Sequence, residues 1–122
     1  MSEYRVVRLG PGERQRARQL FQLIADVLEE PRDELADDYL DGLLERREFW
    51  AMAALAGESV VGGVTAHTLP LTRTAKNELF VYDIAVDAAH QRRGVGRLLL
   101  EGLRVAAASA GMATHRVFVN AV

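Results

Sequence analysis

The residues best equipped for chemistry lie between Val86 and Leu100, where Gln91-Arg92-Arg93-Gly94-Val95-Gly96-Arg97 separates an apolar run from an amphipathic one. Two glycines let the backbone turn tightly and bring its N–H groups against a ligand, and the start of a helix adds uncapped donors and a partial positive charge. Such a segment is an anion site suited to a phosphate or pyrophosphate. A dinucleotide-binding loop would need a third glycine where Leu99 stands, and a P-loop NTPase would need Lys followed by Ser or Thr where this chain has Arg97-Leu98, so neither applies. A second chemical candidate is Asp83, a carboxylate inside the otherwise apolar run from Leu79 to Val86, because a charge there is costly unless it is paired or used. Glu78 precedes the same run. Strand alternation places Asp83 with Val81 and Ala85, and Glu78 on the other face with Phe80 and Tyr82, unless a bulge shifts the register.

The elements that must position these residues are legible from periodicity. Tyr4 to Leu9 reads as a strand closed by Gly10-Pro11-Gly12. Leu20, Leu23, Ile24, Val27 and Leu28 recur at helical spacing, as do Ala36, Tyr39, Leu40, Leu43 and Leu44, with Pro31 between the two helices. Phe49 to Ala56 and Val60 to Leu69 form a hairpin around Gly57-Glu58-Ser59, and Phe49 and Trp50 read as core. The run 79–86 is a central strand, Val95 to Ala106 begins a third helix ending near Gly111, and Arg116 to Val119 is a last strand. This order, with one parallel pair at its end, implies an α+β fold in which helices cover both faces of a mixed sheet.

Composition narrows the function. The chain has 122 residues, enough for one domain, with 49% hydrophobic and 26% charged residues and a formal net charge of -2. An acidic balance offers no general attraction to nucleic acid or anionic membrane and suits a cationic small molecule instead. Without cysteine there are no disulfides, thiolate metal sites or cysteine nucleophiles, which fits a cytoplasmic setting. His67, His90 and His115 lack metal-ligand spacing, so no metal is expected. The acidic run Glu29 to Asp41 is most simply a solvated face, within which Asp37 and Asp38 are the candidates for contacting a cation.

Gln91-x-x-Gly94-x-Gly96 after a strand ending Ile84-Ala85-Val86 resembles the acetyl-CoA-binding motif of the GNAT superfamily of N-acetyltransferases. Within it, Glu78 to Val86 with His90-Gln91-Arg92-Arg93-Gly94, Asp38-Tyr39-Leu40 and Leu69-Pro70 is similar to the aminoglycoside 3-N-acetyltransferases over nearly the whole chain. The resemblance implies that backbone groups of Ile84, Ala85 and Val86 pair with the pantetheine arm and that Gln91, Arg92, Arg93, Gly94, Val95, Gly96 and Arg97 hold the pyrophosphate. It implies acetyl transfer to the 3-amino group of a 2-deoxystreptamine antibiotic. Asp83 or Glu78 would act as carboxylate base, with Tyr82, Asp83, Asp37 and Asp38 as substrate contacts. It also implies a homodimer, and one domain over residues 1–122 whose fourth helix, two further strands and general acid lie beyond Val122. Two alternatives stay open: a GNAT enzyme for another amine, such as a polyamine, an amino acid or a protein N-terminus, and a non-catalytic CoA-binding module.

Overall fold

Hydrophobic periodicity and turn chemistry resolve into strands and helices in the expected order. The computed structural model describes residues 3–110 and the backbone of 114–119. In chain order the elements are β1 (Arg5–Arg8), α1 (Arg14–Val27), α2 (Asp37–Leu44), β2 (Phe49–Ala56), β3 (Ser59–Pro70), β4 (Asn77–Val86), a 3-10 turn (Ala88–His90), α3 (Val95–Ser109) and β5 (Thr114–Val119). β4 starts two residues earlier than the apolar run alone suggests, and β5 also begins two residues early. Gly111, the expected end of α3, lies outside the described residues, as does the side chain of His115.

The sheet order is β1-β2-β3-β4-β5, with antiparallel neighbours from β1 to β4 and a parallel β4–β5 pair. Parallel pairing requires a crossover, which α3 supplies. Helices cover both faces. Trp50, Met52, Val64 and Val81 pack with Leu99 and Leu103 of α3, whereas Ala51, Ala53 and Leu55 pack with Leu20 and Ile24 of α1 and Leu40 of α2. β2 is therefore buried on both sides, as its unbroken apolar sequence requires. Trp50 is 1% exposed; its indole N–H donates to Thr68 Oγ1 at 2.9 Å and its ring takes the Arg8 guanidinium at 3.5 Å, so this core aromatic has both a polar partner and a cation.

Two local irregularities decide where the chemical groups go. In the β3–β4 ladder Thr65 opposes Asp83 but Ala66 opposes Val81, which leaves Tyr82 as a bulged extra residue. Directly opposed residues share a face, so Asp83 joins Thr65, while Phe80 and Glu78 join His67 and Leu69 on that same side. Val81 belongs to the α3 core and Ala85 to the α1 core. Simple alternation, which grouped Asp83 with Val81 and set Glu78 apart, is thus corrected: the bulge reverses the phase of the strand, and both carboxylates face α1 and α2.

The second irregularity closes α1. Glu29 has φ 56°, its N–H donates to Asp26 O, and the Glu30 N–H donates to Ala25 O, a helix-terminating turn of the kind glycine usually serves. A non-glycine residue in that region costs on the order of 1 kcal/mol and persists only where its surroundings hold it. Here Arg32 reaches back to Asp26 and Arg18 donates to Leu35 O, tying down the connection to α2.

Close approach of α1 to the sheet depends on Gly63, where an added Cβ would fall 1.9 Å from Leu20 Cδ1 and 2.9 Å from Met52 O. Since Met52 O is backbone and Leu20 is fully buried, neither neighbour can yield cheaply. Gly63→Ala is expected to lower stability by about 1–3 kcal/mol, read as a shift of the urea midpoint at unchanged slope.

Candidate active site

β4 offers different groups on its two sides. The Asp87 N–H donates to Val61 O at 2.8 Å, toward β3, so by alternation the backbone groups of Ala85 also point to β3 while those of Ile84 and Val86 point away. On that far side the described part of β5 pairs with β4 only from Asn77 to Val81. Ile84 and Val86 thus turn their backbone groups to the side away from β3, where the described part of β5 ends opposite Val81 and the Val86 carbonyl accepts from Gln91. Of the three residues expected to offer backbone to a ligand, Ala85 is instead engaged in the ladder, and its carbonyl oxygen would lie 3.1 Å from a Cβ built on Gly62.

The same side of β4 leads into the turn before α3. Arg92 (φ 64°) and Gly94 (φ 82°) are both left-handed, a geometry that folds successive backbone N–H groups toward one side, and Gly94 caps α3. The first-turn N–H groups have no intrahelical acceptor, and the exposed Arg92, Arg93 and Arg97 lie on either side of Gly94 in the chain. Gln91 does something other than face a ligand: its side-chain amide donates to Val86 O at 2.9 Å and braces the loop against the strand. A second brace comes from the N-terminal segment, where Tyr4 Oη and His90 Nδ1 are 3.0 Å apart with their rings edge to face, and Glu3 pairs with Arg93 at 3.6 Å.

On the opposite face, Asp83, Tyr82 and Thr65 line a cavity of about 460 Å³ closed by Phe21 and Leu28 of the α1 region and by Glu30. Loss of water on burial, and then the negative charge of Glu30, hold the Asp83 carboxyl above its ordinary value of 3.8. Glu30 stood within the acidic run of the sequence; its place here follows from the turn at Glu29. Glu78 shares the face, but at about 3.3 Å per residue it stands on the order of 15 Å down the strand, too far to share a substrate nitrogen with Asp83. Asp37 is taken up by Arg14 at 2.9 Å and Arg18 at 2.5 Å, which fastens α2 to α1. Asp38 lines a neighbouring cavity of about 500 Å³ with Tyr39 and His67. The His67 ring lies 5.5 Å from that of Phe49 and 6.2 Å from that of Tyr82, placing it between the two cavities. Sequence reasoning passed over His67 because a lone histidine in a strand carries no signal of its own.

The acetyltransferase (GNAT) family profile matches residues 16–121. The chain belongs to this family.

Among solved GNAT-fold structures, an aminoglycoside acetyltransferase, HMB0005, from an uncultured soil metagenomic sample is 31% identical over 100% of this chain and 81% of its own, with a TM-score of 0.89. A second, meta-AAC0020, also from an uncultured soil metagenomic sample, is 29% identical over 98% of this chain and 78% of its own, with a TM-score of 0.87; it is known in complex with sisomicin. Aminoglycoside N-acetyltransferase AAC(6')-Iy in complex with CoA, at 13% identity over 98% of this chain and 77% of its own, shares the fold with a TM-score of 0.75. A search of curated protein sequences finds no match.

GNAT acetyltransferases use acetyl-CoA, and the residues present fit it. The turn 92–97 offers backbone N–H groups and arginines to a pyrophosphate, and the backbone of Ile84 and Val86 offers amide-pairing groups to an extended arm. Among the described residues no three His, Cys, Asp or Glu side chains converge as a metal site requires, and no helix is long and apolar enough to cross a membrane.

Two outcomes are expected. Tyr4→Phe removes the partner of His90 and should weaken CoA binding several-fold by calorimetry, the effect of one part-buried hydrogen bond worth about 1 kcal/mol. The raised Asp83 carboxyl means that the native state binds its proton more tightly than the unfolded chain. Its contribution to stability is complete below the unfolded pKa and is lost as pH climbs through the raised native one. Asp83→Asn, which cannot ionise, should therefore melt higher than the parent protein near pH 7, with the difference fading as the pH falls through the raised native pKa and gone below 3.8.

Proposed function

We propose that the chain transfers acetyl from acetyl-CoA to an amino group of an aminoglycoside, the 3-amino group of the 2-deoxystreptamine ring, with Asp83 as the base. The observation that carries this reading is the placing of Asp83: its carboxyl faces the cavity under α1, and the next residue, Ile84, turns its backbone to the side of β4 away from β3, where the donor would lie. The two similar aminoglycoside acetyltransferases, one of them bound to sisomicin, support the choice of acceptor.

Acetyl-CoA, when bound, supplies a thioester whose carbonyl carbon an amine can attack. An aminoglycoside amine is protonated near neutral pH and must lose a proton first. A carboxyl held above its ordinary range by burial is a better proton acceptor than a solvated aspartate. The first proton leaves the nitrogen for Asp83, the neutral amine forms the C–N bond, and the C–S bond breaks with its electron pair on sulfur, the thiolate taking up the second proton that the nitrogen loses as the amide forms. The backbone N–H of Ile84 is oriented to steady the charge that gathers on the carbonyl oxygen. Tyr82, on the bulge and 55% exposed, offers its ring and hydroxyl at the cavity mouth. Glu78, far down the strand, and Asp37, paired to two arginines, are the wrong places for this proton transfer.

The test is release of CoA thiol from acetyl-CoA with sisomicin or gentamicin as acceptor and spermidine and a peptide amine as controls, followed by NMR of the product to locate the acetyl group. Turnover with the antibiotics and acetylation at the 3-amino nitrogen are expected. Asp83→Asn should lower kcat by about 10²–10⁴-fold while acetyl-CoA still binds. Turnover confined to the peptide amine or spermidine would move the substrate to another amine.

A further inference from the structure

Thr65 is the one polar side chain buried among the described residues, at 7% exposed, and its hydroxyl makes no hydrogen bond to any of them. A buried hydroxyl left in this state is costly, and nearly all such groups in folded proteins have a partner. Thr68, three residues on, shows the ordinary case, since its Oγ1 accepts the Trp50 indole N–H at 2.9 Å. Around Thr65 the protein offers mostly apolar surface: Ala51 opposes it on β2, and Phe21 and Ile24 of α1 line the same cavity of about 460 Å³. The exception is Asp83, which the β4 bulge places directly opposite it. Side chains opposed in this way have Cβ atoms about 5 Å apart, yet this hydroxyl and this carboxyl do not bond each other. Both border the cavity, so one small polar atom entering between them can meet both.

We propose that the Thr65 hydroxyl is a second contact to the reacting amine, accepting an N–H from the nitrogen that gives its proton to Asp83, and so is a further catalytic residue of the site. This rests on the reading that Asp83 is the base. A hydroxyl accepts through either of two lone pairs and keeps its own proton near neutral pH, so Thr65 aims the amine without exchanging a proton with it. An amine held by one contact turns freely about it. A second contact on the neighbouring strand fixes where the lone pair points once the first proton has gone, a loss of freedom that a bound nucleophile must meet before it attacks. The apolar wall of Phe21 and Ile24 sharpens that choice, because a nitrogen that missed Thr65 would leave an N–H against surface that cannot accept it.

The experiment compares the parent protein with Thr65→Val, which keeps the branched shape and removes the hydroxyl, and with Thr65→Ser, which keeps the hydroxyl. Acetylation of sisomicin and unfolding in urea are measured on all three. Thr65→Val should lower kcat/KM for sisomicin about tenfold, the loss expected of one hydrogen bond to a buried amine, with KM for acetyl-CoA unchanged. Thr65→Ser should recover most of that loss. Because the protein gives the hydroxyl no partner of its own, Thr65→Val should unfold at the urea midpoint of the parent or above it. A structural hydroxyl predicts the reverse, activity and midpoint falling together.

Activity that Thr65→Val leaves intact, a loss that Thr65→Ser does not recover, or a loss that comes with a lower urea midpoint each overturns the assignment to Thr65 and leaves Asp83 as the base. Full turnover in Asp83→Asn overturns the reading of the base itself, and this one with it. Failure of the parent protein to acetylate sisomicin or any other amine overturns the acetyltransferase reading and everything that rests on it.

Discussion

One extra residue in one strand organises this molecule. Tyr82, unopposed in the β3–β4 ladder, reverses the phase of β4 so that Val81 packs under α3 while Asp83, only two positions later, faces α1. Without the bulge the core-facing pattern of Leu79 and Val81 would carry Asp83 into the α3 side, where a carboxylate has no polar neighbour and costs several kcal/mol. A bulge also bends and twists the strand that carries it. The same irregularity turns the carboxylate toward α1, while the backbone groups of the next residue, Ile84, point away from β3.

The remaining structure holds that strand against its neighbours closely enough for the geometry to matter. Gly63 lets Leu20 sit on the sheet, and α1 can then form a wall over Asp83. The loop before α3 is braced from two directions, by Gln91 on the Val86 carbonyl and by Tyr4 on His90. Several of these arrangements are unfavourable for stability taken alone: a carboxyl displaced above its ordinary range, a glutamate in a left-handed turn, two like charges across a small cavity. Local costs of this kind collect where a site must be held ready for a ligand. They lie on the α1 face and its turn, away from the α3 core with its buried Leu99 and Leu103.

Much of the fold was legible in the sequence because it rests on periodicity. Leu20 and Ile24 at helical spacing, the unbroken run from Phe49 to Ala56 and the glycines before α3 each follow from local chemistry that tertiary context did not override. The turn before α3 was legible for the same reason, since Gly94 needs its left-handed φ and a helix must follow. The faces of β4 were not. Tyr82 is an ordinary strand residue, and whether it pairs or bulges is decided by the register with Thr65 and Ala66, which no single strand encodes. Glu30 was hidden among other acids, because only the helix-ending turn at Glu29 brings it, still exposed, to the rim of the cavity that Asp83 lines. Asp37 and Asp38 looked alike in the sequence, yet Arg14 and Arg18 engage the first while the second lines the neighbouring cavity.

The central proposal is that Ile84 and Val86, whose backbone groups point away from β3, meet the cofactor while Ala85 stays in the ladder. Amide hydrogen exchange followed residue by residue by NMR, with and without CoA, tests it most directly. The account predicts that CoA slows exchange at Ile84, Val86 and the first-turn amides of α3, while Ala85 is already slow in the free protein and changes little. Exchange at Ile84 and Val86 that is slow without CoA, or that CoA leaves untouched while still binding, would contradict it.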